Sequence, residues 1–214
     1  MNQDKGIIFD LDGVLVFTDR YHYMAWKAIA DDVGAYFDET INNRLRGVSR
    51  MASLEIVLER YPGEPLSQDQ KNALAEKKNG IYRGLLQQMT PDDVTPEVRE
   101  TLAELRRRGY KIALGSSSKN AKFILERVGL TDAFDAISDG TNITHSKPNP
   151  EVFVMAAEFL GLPNEACAVI EDAYAGIDAA KAGGMTAVGI GDAASYDRCD
   201  IRIDSVDELL KYFR

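Results

Sequence analysis

The sequence has few of the residues that build disulfide frameworks and zinc sites, and it has no long apolar run. Its 214 residues include only two cysteines, two histidines and one tryptophan. Cys167 and Cys199 lie in predicted strands, far apart and outside any CxxC pair, so buried free thiols are expected. No apolar run approaches the roughly 20 residues that cross a bilayer, and Asp4 and Asp10 stand where a signal peptide would be apolar. We therefore expect a cytoplasmic protein with no membrane partner.

Positive charge is also in deficit. There are 25 Lys and Arg against 34 Asp and Glu, which gives a formal charge of -9. Such a surface repels polyanions, so no nucleic-acid partner is expected. The length suits one good core with a smaller companion domain. A monomer is the working expectation.

The opening strand ends in two acids. The apolar run 6–9 predicts a buried strand, and Asp10 and Asp12 follow it directly. Because these acids are two residues apart, they share one side of an extended chain, and Gly13 permits a sharp turn. Carboxylates at the end of a buried strand suggest a hard cation and phosphate. An EF-hand is excluded, because the later oxygen ligands of its loop are missing.

Residues 18–89 are predicted to be entirely helical. Thr18 is placed as an N-cap, and apolar spacing continues to Val33 before Gly34. Ser67 and Gln70 have the spacing of a capping box. Helices are predicted over 19–33, 37–46, 50–60 and from 68 to about 89.

From residue 90 onward, predicted helices alternate with predicted strands. The first strand has no strand neighbour nearby, so it most simply joins the parallel sheet of the C-terminal part. We predict an α/β fold with a Rossmann-like parallel-sheet core, 1–17 with 90–214, and a small α-helical cap, 18–89, joined by two links typical of a hinge. The predicted strands are 111–114, 134–137, 167–170, 185–190 and 200–203, and the helices 96–108, 119–128, 150–160 and 174–182.

Polar residues follow several of these strands, at the edge where an open parallel sheet binds ligands. An aspartate can attack phosphorus only if a cation, hydroxyl and amide donors and a lysine neutralise the phosphoryl oxygens. This chemistry makes Asp10 the candidate nucleophile and Asp12 the candidate general acid/base, with Mg²⁺ as the cation. The residues expected to converge are Asp10, Asp12, Ser116, Ser117, Ser118, Lys147, Glu171 and Asp172.

Each of these residues has a simpler explanation. Acids at strand ends are often solvated or cap helices, and Ser116 to Ser118 can cap a helix that begins near Lys119. Lys147 before Pro148 is compatible with an ordinary surface lysine. The joint occurrence at the ends of four strands favours a site.

Four segments resemble the ordered motifs of the haloacid dehalogenase-like phosphotransferase superfamily. They are residues 9–15, the Ser116 loop, Lys147-Pro148 and Glu171-Asp172. The resemblance implies a core of that fold with a small helical cap. The second aspartate, Asp12, is typical of the phosphoryl-transfer branch, and Asp10, Asp12, Glu171 and Asp172 are the implied metal ligands.

The cap segment resembles that of the superfamily's sugar phosphomutases. Thr18, His22 and Trp26 recur every four residues on one helix face. Judged alone, His22 is a structural histidine, Trp26 a packing residue and Lys78 a snorkelling lysine. The resemblance implies instead that Thr18 and His22 assist catalysis and that Arg50 grips the non-transferring phosphate. The implied substrate-binding residues are Trp26, Arg46, Gly47, Val48, Ser49, Arg50, Lys78, Ser117, Ser118 and Asn120.

The activity that the resemblance implies is interconversion of β-glucose 1-phosphate and glucose 6-phosphate through bound β-glucose 1,6-bisphosphate, with Mg²⁺. One alternative is a Mg²⁺-dependent sugar-phosphate phosphatase that uses the same catalytic residues. Another is a non-catalytic metabolite-binding module on the same fold. Intact Asp10, Asp12, Lys147 and Asp172 disfavour the module, because binding alone requires no nucleophile paired with an acid.

Overall fold

A computed structural model describes residues 5–45 and 48–214 of the chain. The predicted substrate-binding residues Arg46 and Gly47 lie outside these ranges. The backbone divides into two compact units. The core unit comprises Met1–Phe17 with Met89–Arg214, and the helical unit comprises Thr18–Gln88. That these units act as a catalytic core and a cap remains a prediction.

The core unit contains one six-stranded parallel sheet. Its strands are β1 (Gly6–Phe9), β2 (Lys111–Gly115), β3 (Ala136–Ser138), β4 (Cys167–Glu171), β5 (Thr186–Gly189) and β6 (Ile201–Arg202). The spatial order is β3-β2-β1-β4-β5-β6. Gly6 pairs with Lys111 of β2 on one side and with Cys167 of β4 on the other. The first strand of the chain is therefore central, and the point where the strand order reverses lies beside it.

Apolar residues account for the burial of the central strands. All four residues of β1 and all five of β4 are buried. Helix α7 (Glu151–Leu160) contributes Val152 and Phe153 to a core cluster with Ile8 and Val169, and α8 (Tyr174–Ala182) contributes Ile177. The remaining helices of this unit are α5 (Pro96–Arg107), α6 (Ala121–Arg127) and α9 (Leu209–Tyr212). The predicted fold class is confirmed.

Several boundaries in the core unit differ from the sequence prediction by one or two residues, and two of the differences can be described at the level of single residues. Strand β3 begins at Ala136 rather than at 134. The reason is that the side chain of Asp135, rather than a backbone carbonyl, accepts the Ile112 N–H, with Oδ2 at 2.8 Å. Cys199 lies in a turn before β6 rather than in a strand, and its N–H donates to the Tyr196 carbonyl at 3.1 Å. Both cysteines are buried free thiols, as expected.

The helical unit consists of α1 (Asp19–Val33), α2 (Glu39–Asn43), α3 (Arg50–Leu58) and α4 (Gln68–Leu86). Ser67 and Gln70 form the predicted capping box. Helix α2 begins at Glu39 rather than at 37 because Asp38 caps it, its Oδ1 accepting the Ile41 N–H at 2.8 Å, and it ends at Asn43 rather than at 46. Thr18 precedes α1, but its side chain makes no capping bond there, contrary to prediction. Within the described parts of the chain, every helix is too short or too polar to cross a bilayer.

Candidate active site

A buried lysine joins two acids at the carboxyl ends of β1 and β4. Lys147 Nζ lies 2.5 Å from Asp10 Oδ1 and 2.5 Å from Glu171 Oε1. The side chains of Lys147, Asp10 and Glu171 are 4 %, 10 % and 2 % exposed, so water screens these pairs little. The surface-lysine interpretation of Lys147 is therefore wrong.

Burial and the neighbouring charges shift the pKa values of both Asp10 and Lys147. Burial raises the pKa of the Asp10 carboxyl well above its usual value; Lys147 opposes this effect, while Glu171 and Asp172 reinforce it. Burial lowers the pKa of the Lys147 ammonium, but the charges of Asp10 and Glu171 outweigh that effect and raise it overall. The charges of the neighbouring carboxyl groups therefore favour the cationic form of Lys147.

Three carboxylates at this edge form a cluster suited to a divalent cation. Asp10, Glu171 and Asp172 each offer an oxygen, and these oxygens lie within 4.8 Å of one another. A donor set made only of carboxyl oxygens fits Mg²⁺. The Asp12 carboxylate is not part of this cluster, so a metal contact from Asp12 requires its backbone carbonyl. Gly13 has φ +83°, and a Cβ there would lie 2.0 Å from Asp172 Oδ2, so only glycine fits the turn beside this acid.

The serine loop, residues 116–120, follows β2 at the same edge. Ser116 Oγ accepts the Ser118 N–H at 3.2 Å, and Ser118 Oγ accepts the Asn120 N–H at 3.2 Å. Helix α6 begins at Ala121, and its N-cap residue Asn120 makes no side-chain capping bond, so these serines hold the turn before the helix rather than capping it as the alternative expected. Ser117 Oγ is buried and has no hydrogen-bond partner among the described residues. A buried hydroxyl with unused hydrogen-bonding capacity is suited to bind an oxygen-rich ligand.

Two residues of the core site were missed by the sequence prediction. The ring of Phe153 lies with its centroid 4.6 Å from Lys147 Nζ, close enough for a cation–π contact. A Cβ at Gly176 would lie 1.9 Å from Glu171 Cδ, so this glycine makes room for the acid. The isolated glycine inside a predicted helix was a usable signal of close approach, whereas nothing in the sequence distinguished Phe153 from other core residues.

In the helical unit, a second buried lysine is surrounded by aromatic rings. Lys78 Nζ lies 2.9 Å from His22 Nδ1, 4.9 Å from the Trp26 ring centroid and 4.4 Å from the Tyr82 ring centroid. We call His22, Trp26, Lys78 and Tyr82 the Lys78 cluster. Tyr82 also donates its hydroxyl hydrogen to Thr18 Oγ1 at 3.1 Å. Trp26 is 2 % exposed and belongs to the core of this unit, which favours the packing alternative for it.

Burial and nearby positive charges favour the neutral form of His22. Burial, followed by the positive charges of Lys78 and Arg50, lowers the pKa of the imidazole well below 6.5. Because the Lys78 ammonium is a donor, His22 Nδ1 accepts. The proton of the neutral ring therefore lies on Nε2, which is a donor for another group.

Arg50, the first residue of α3, is bound at both terminal nitrogens of its guanidinium group. Its Nη1 lies 3.1 Å from Glu76 Oε1, and its Nη2 donates to Asn79 Oδ1 at 3.0 Å. The Arg50 side chain is 25 % exposed, so the fork faces partly into solvent. Ser49 caps α3 by accepting the Ala52 N–H at 3.3 Å, and Val48 is exposed.

Comparison with known proteins identifies the family. The family model for haloacid dehalogenase-like hydrolases matches residues 5–184. The chain belongs to this family, and the resemblance found in the sequence is confirmed. Such membership, with the acids and lysine described above, defines an enzyme of the phosphotransferase or phosphatase type.

Individual relatives narrow this class. The chain is 41 % identical over 206 residues to a β-phosphoglucomutase of Bacillus subtilis, covering 96 % of this chain and 91 % of that protein. A crystal structure of β-phosphoglucomutase from Clostridium difficile superposes with a TM-score of 0.90 at 38 % identity, covering 98 % of this chain and 95 % of that one. A phosphorylated carbohydrates phosphatase of Thermotoga maritima is 29 % identical over 183 residues, covering 85 % and 82 %.

Proposed function

We propose that this protein is a β-phosphoglucomutase, which interconverts β-glucose 1-phosphate and glucose 6-phosphate. The observation that carries the proposal is the likeness to the mutase of Bacillus subtilis along 96 % of the chain. That likeness spans the helical unit as well as the acidic site, whereas the phosphatase of Thermotoga maritima is less similar. The substrate is a small sugar phosphate, and we further propose a cytoplasmic monomer.

In this proposal, Asp10 attacks phosphorus and carries the phosphoryl group as an aspartyl phosphate. The attacking oxygen bonds to phosphorus as the bond from phosphorus to the sugar oxygen breaks. Lys147, 2.5 Å from Asp10, fixes the carboxylate and offsets its charge. Asp10, Glu171, Asp172 and the backbone carbonyl of Asp12 would hold Mg²⁺, which would supply positive charge to offset the phosphoryl oxygens.

Proton transfer is assigned to Asp12. It protonates the departing sugar oxygen and later removes the proton of the sugar hydroxyl that attacks the aspartyl phosphate. Ser116 and the buried, unpartnered hydroxyl of Ser117 provide donors for the phosphoryl oxygens. Two such half-reactions, with β-glucose 1,6-bisphosphate as the intermediate and activator, move the phosphate from one sugar position to another.

The helical unit supplies recognition of the sugar and of the second phosphate. Arg50 is assigned to the non-transferring phosphate because a planar fork binds phosphate through two parallel bonds. We assign the Nε2–H of His22 and the hydroxyl of Thr18 to hydrogen bonds that assist catalysis. The further substrate-binding residues assigned to this unit are Trp26, Arg46, Gly47, Val48, Ser49 and Lys78, and those assigned to the serine loop of the core unit are Ser117, Ser118 and Asn120.

The second candidate is a sugar-phosphate phosphatase, in which water attacks the aspartyl phosphate. The core site serves either reaction, because both require Asp10, Asp12, Lys147 and Mg²⁺. The observation that favours this candidate is the likeness to the phosphorylated carbohydrates phosphatase of Thermotoga maritima.

The deciding experiment supplies β-glucose 1-phosphate, Mg²⁺ and a trace of β-glucose 1,6-bisphosphate, and follows glucose 6-phosphate and free phosphate together. A mutase forms glucose 6-phosphate much faster than free phosphate, whereas free phosphate without the isomer would refute the proposal. Asp10→Asn is expected to abolish phosphoryl transfer to the protein. Arg50→Ala should reduce mutase turnover far more than hydrolysis of a generic phosphate ester; equal losses would remove Arg50 from its assigned role.

A further inference from the structure

One carboxylate fastens the loop that carries Lys147 to the first turn of α7. Glu151 Oε1 accepts the Thr144 N–H at 2.8 Å, and Glu151 Oε2 accepts the His145 N–H at 2.7 Å. The same Oε2 lies 3.0 Å from His145 Nδ1. The N–H of Glu151 donates to Asn149 Oδ1 at 3.0 Å. The loop is therefore bound to Glu151 on both sides of Lys147.

These bonds build neither a helix nor a strand. Thr144 and His145 lie outside the regular elements of the described chain, so no sheet ladder or helix fixes this backbone. The two N–H groups, Thr144 first and then His145, lower the pKa of the Glu151 carboxyl below its usual value. Glu151 is thus ionised at neutral pH, and its bonds to the loop are of the stronger, charge-assisted kind.

Lys147 follows His145 by two residues, so the path of the loop decides where the lysine side chain starts. A lysine has four flexible carbons, and its ammonium holds two oxygens at 2.5 Å only if its Cα is well placed. Two residues of helix α7 constrain the position of the Lys147 side chain. Glu151 fixes the backbone before the lysine, and the ring of Phe153 lies 4.6 Å from the ammonium.

We propose that Glu151 is a positioning residue for Lys147, holding the loop so that the ammonium reaches Asp10 and Glu171 together. The inference rests on the proposed function, in which Lys147 supports phosphoryl transfer. Glu151 touches no reacting atom and acts only through the lysine. Rates depend steeply on such placement, because small displacements remove the alignment that the transition state requires.

The test compares Glu151→Gln with the wild type in the mutase assay. Glutamine keeps the size of the side chain but replaces one acceptor oxygen by an amide donor, which faces an N–H donor of the loop. We expect kcat to fall about tenfold, as for other residues that orient a catalytic group, with KM little changed. Glu158→Gln, on the exposed face of the same helix, removes the same charge and should leave both constants unchanged.

A double-mutant cycle with Lys147→Ala separates positioning from general support of the fold. If Glu151 acts through Lys147, adding Glu151→Gln to Lys147→Ala leaves the residual rate unchanged. An equal fold-loss in both backgrounds overturns the proposal, and so does a wild-type kcat in Glu151→Gln. Full mutase activity in Lys147→Ala would refute the assigned role of Lys147 as well. Loss in Lys147→Ala without loss in Glu151→Gln refutes the positioning role alone.

Discussion

Lys147→Met leaves the acidic cluster without its buried cation. The lysine side chain is 4 % exposed and lies 2.5 Å from both Asp10 and Glu171, whose side chains are 10 % and 2 % exposed. Methionine fills a similar volume, so the change removes charge and hydrogen bonds with little change in packing. Three acids then face one another within 4.8 Å without the cation that offsets them.

The expected loss in the free energy of unfolding is about 3 to 5 kcal/mol, the usual result of removing one partner of a buried ion pair. For a chain of this size, each kcal/mol shifts Tm by about 2 to 4 °C, so Tm should fall by about 6 to 20 °C. Thermal unfolding at neutral pH in EDTA measures this loss. Lys119→Met is the matched control, because Lys119 is exposed, and it should change stability by less than about 0.5 kcal/mol.

A second substitution tests the reason for that loss. Glu171→Gln removes one of the acids and keeps an amide oxygen for the Ala173 N–H, which Glu171 Oε2 accepts at 2.8 Å. Lys147→Met combined with Glu171→Gln should therefore be more stable than Lys147→Met alone. A loss below about 1 kcal/mol in Lys147→Met, or purely additive losses in the double variant, would refute the reasoning.

Three further predictions follow from the same structure. At a concentration 100 times its Kd, Mg²⁺ should raise the free energy of unfolding of the wild type by about 2.7 kcal/mol, which calorimetry detects as a rise in Tm. Asp172→Asn should reduce this rise sharply, and an undiminished rise would place the metal elsewhere. The pKa of His22 is lower in the folded state than its unfolded value near 6.5, so the unfolded state binds more protons at acidic pH. The contribution of His22 to the free energy of unfolding is therefore complete above pH 6.5 and falls as the pH drops towards the folded pKa. His22→Gln should flatten that fall in denaturant titrations, and an unchanged slope would contradict the assignment. Gly176→Ala places a Cβ 1.9 Å from Glu171 Cδ and should lower the free energy of unfolding by about 1 to 3 kcal/mol. Gly80→Ala is the control, because nothing lies within 4 Å of the new Cβ, and it should stabilise α4 by about 0.5 to 1 kcal/mol. Equal effects of the two substitutions would refute the steric argument.

Local patterns were sufficient to predict the order of the elements. Apolar runs such as 6–9, the glycine after α1 and the capping box at Ser67 act over a few residues, so they can be read without tertiary structure. The acids at strand ends were likewise predictable, because parallel strands present their carboxyl ends at one edge. The boundaries of α2 and β3 were less accurate, since single side chains, Asp38 and Asp135, decide them.

Contacts between distant residues were beyond such reasoning. Lys78 and His22 are separated by 56 positions, and their 2.9 Å contact depends on how α1 packs against α4. The same applies to Phe153 beneath Lys147, a residue that periodicity identifies only as core. Glu151 is an ordinary first residue for a helix, and only the path of the preceding loop gives it a second contact. The roles assigned to the site residues remain predictions until the variants are measured.

The central position of β1 has a consequence for the order of events on the ribosome. β1 is synthesised first, yet its partners begin at Lys111 and Cys167, more than a hundred residues later. At about 5 to 20 residues per second, the nascent strand waits roughly 5 to 20 s before its first neighbour exists. The helical unit, Thr18–Gln88, is one continuous segment and can form during that interval. The strand that positions Asp10 is therefore an apolar segment that must be kept from aggregating during translation. The edge of the sheet that carries Asp10 is among the last parts of the molecule to assemble.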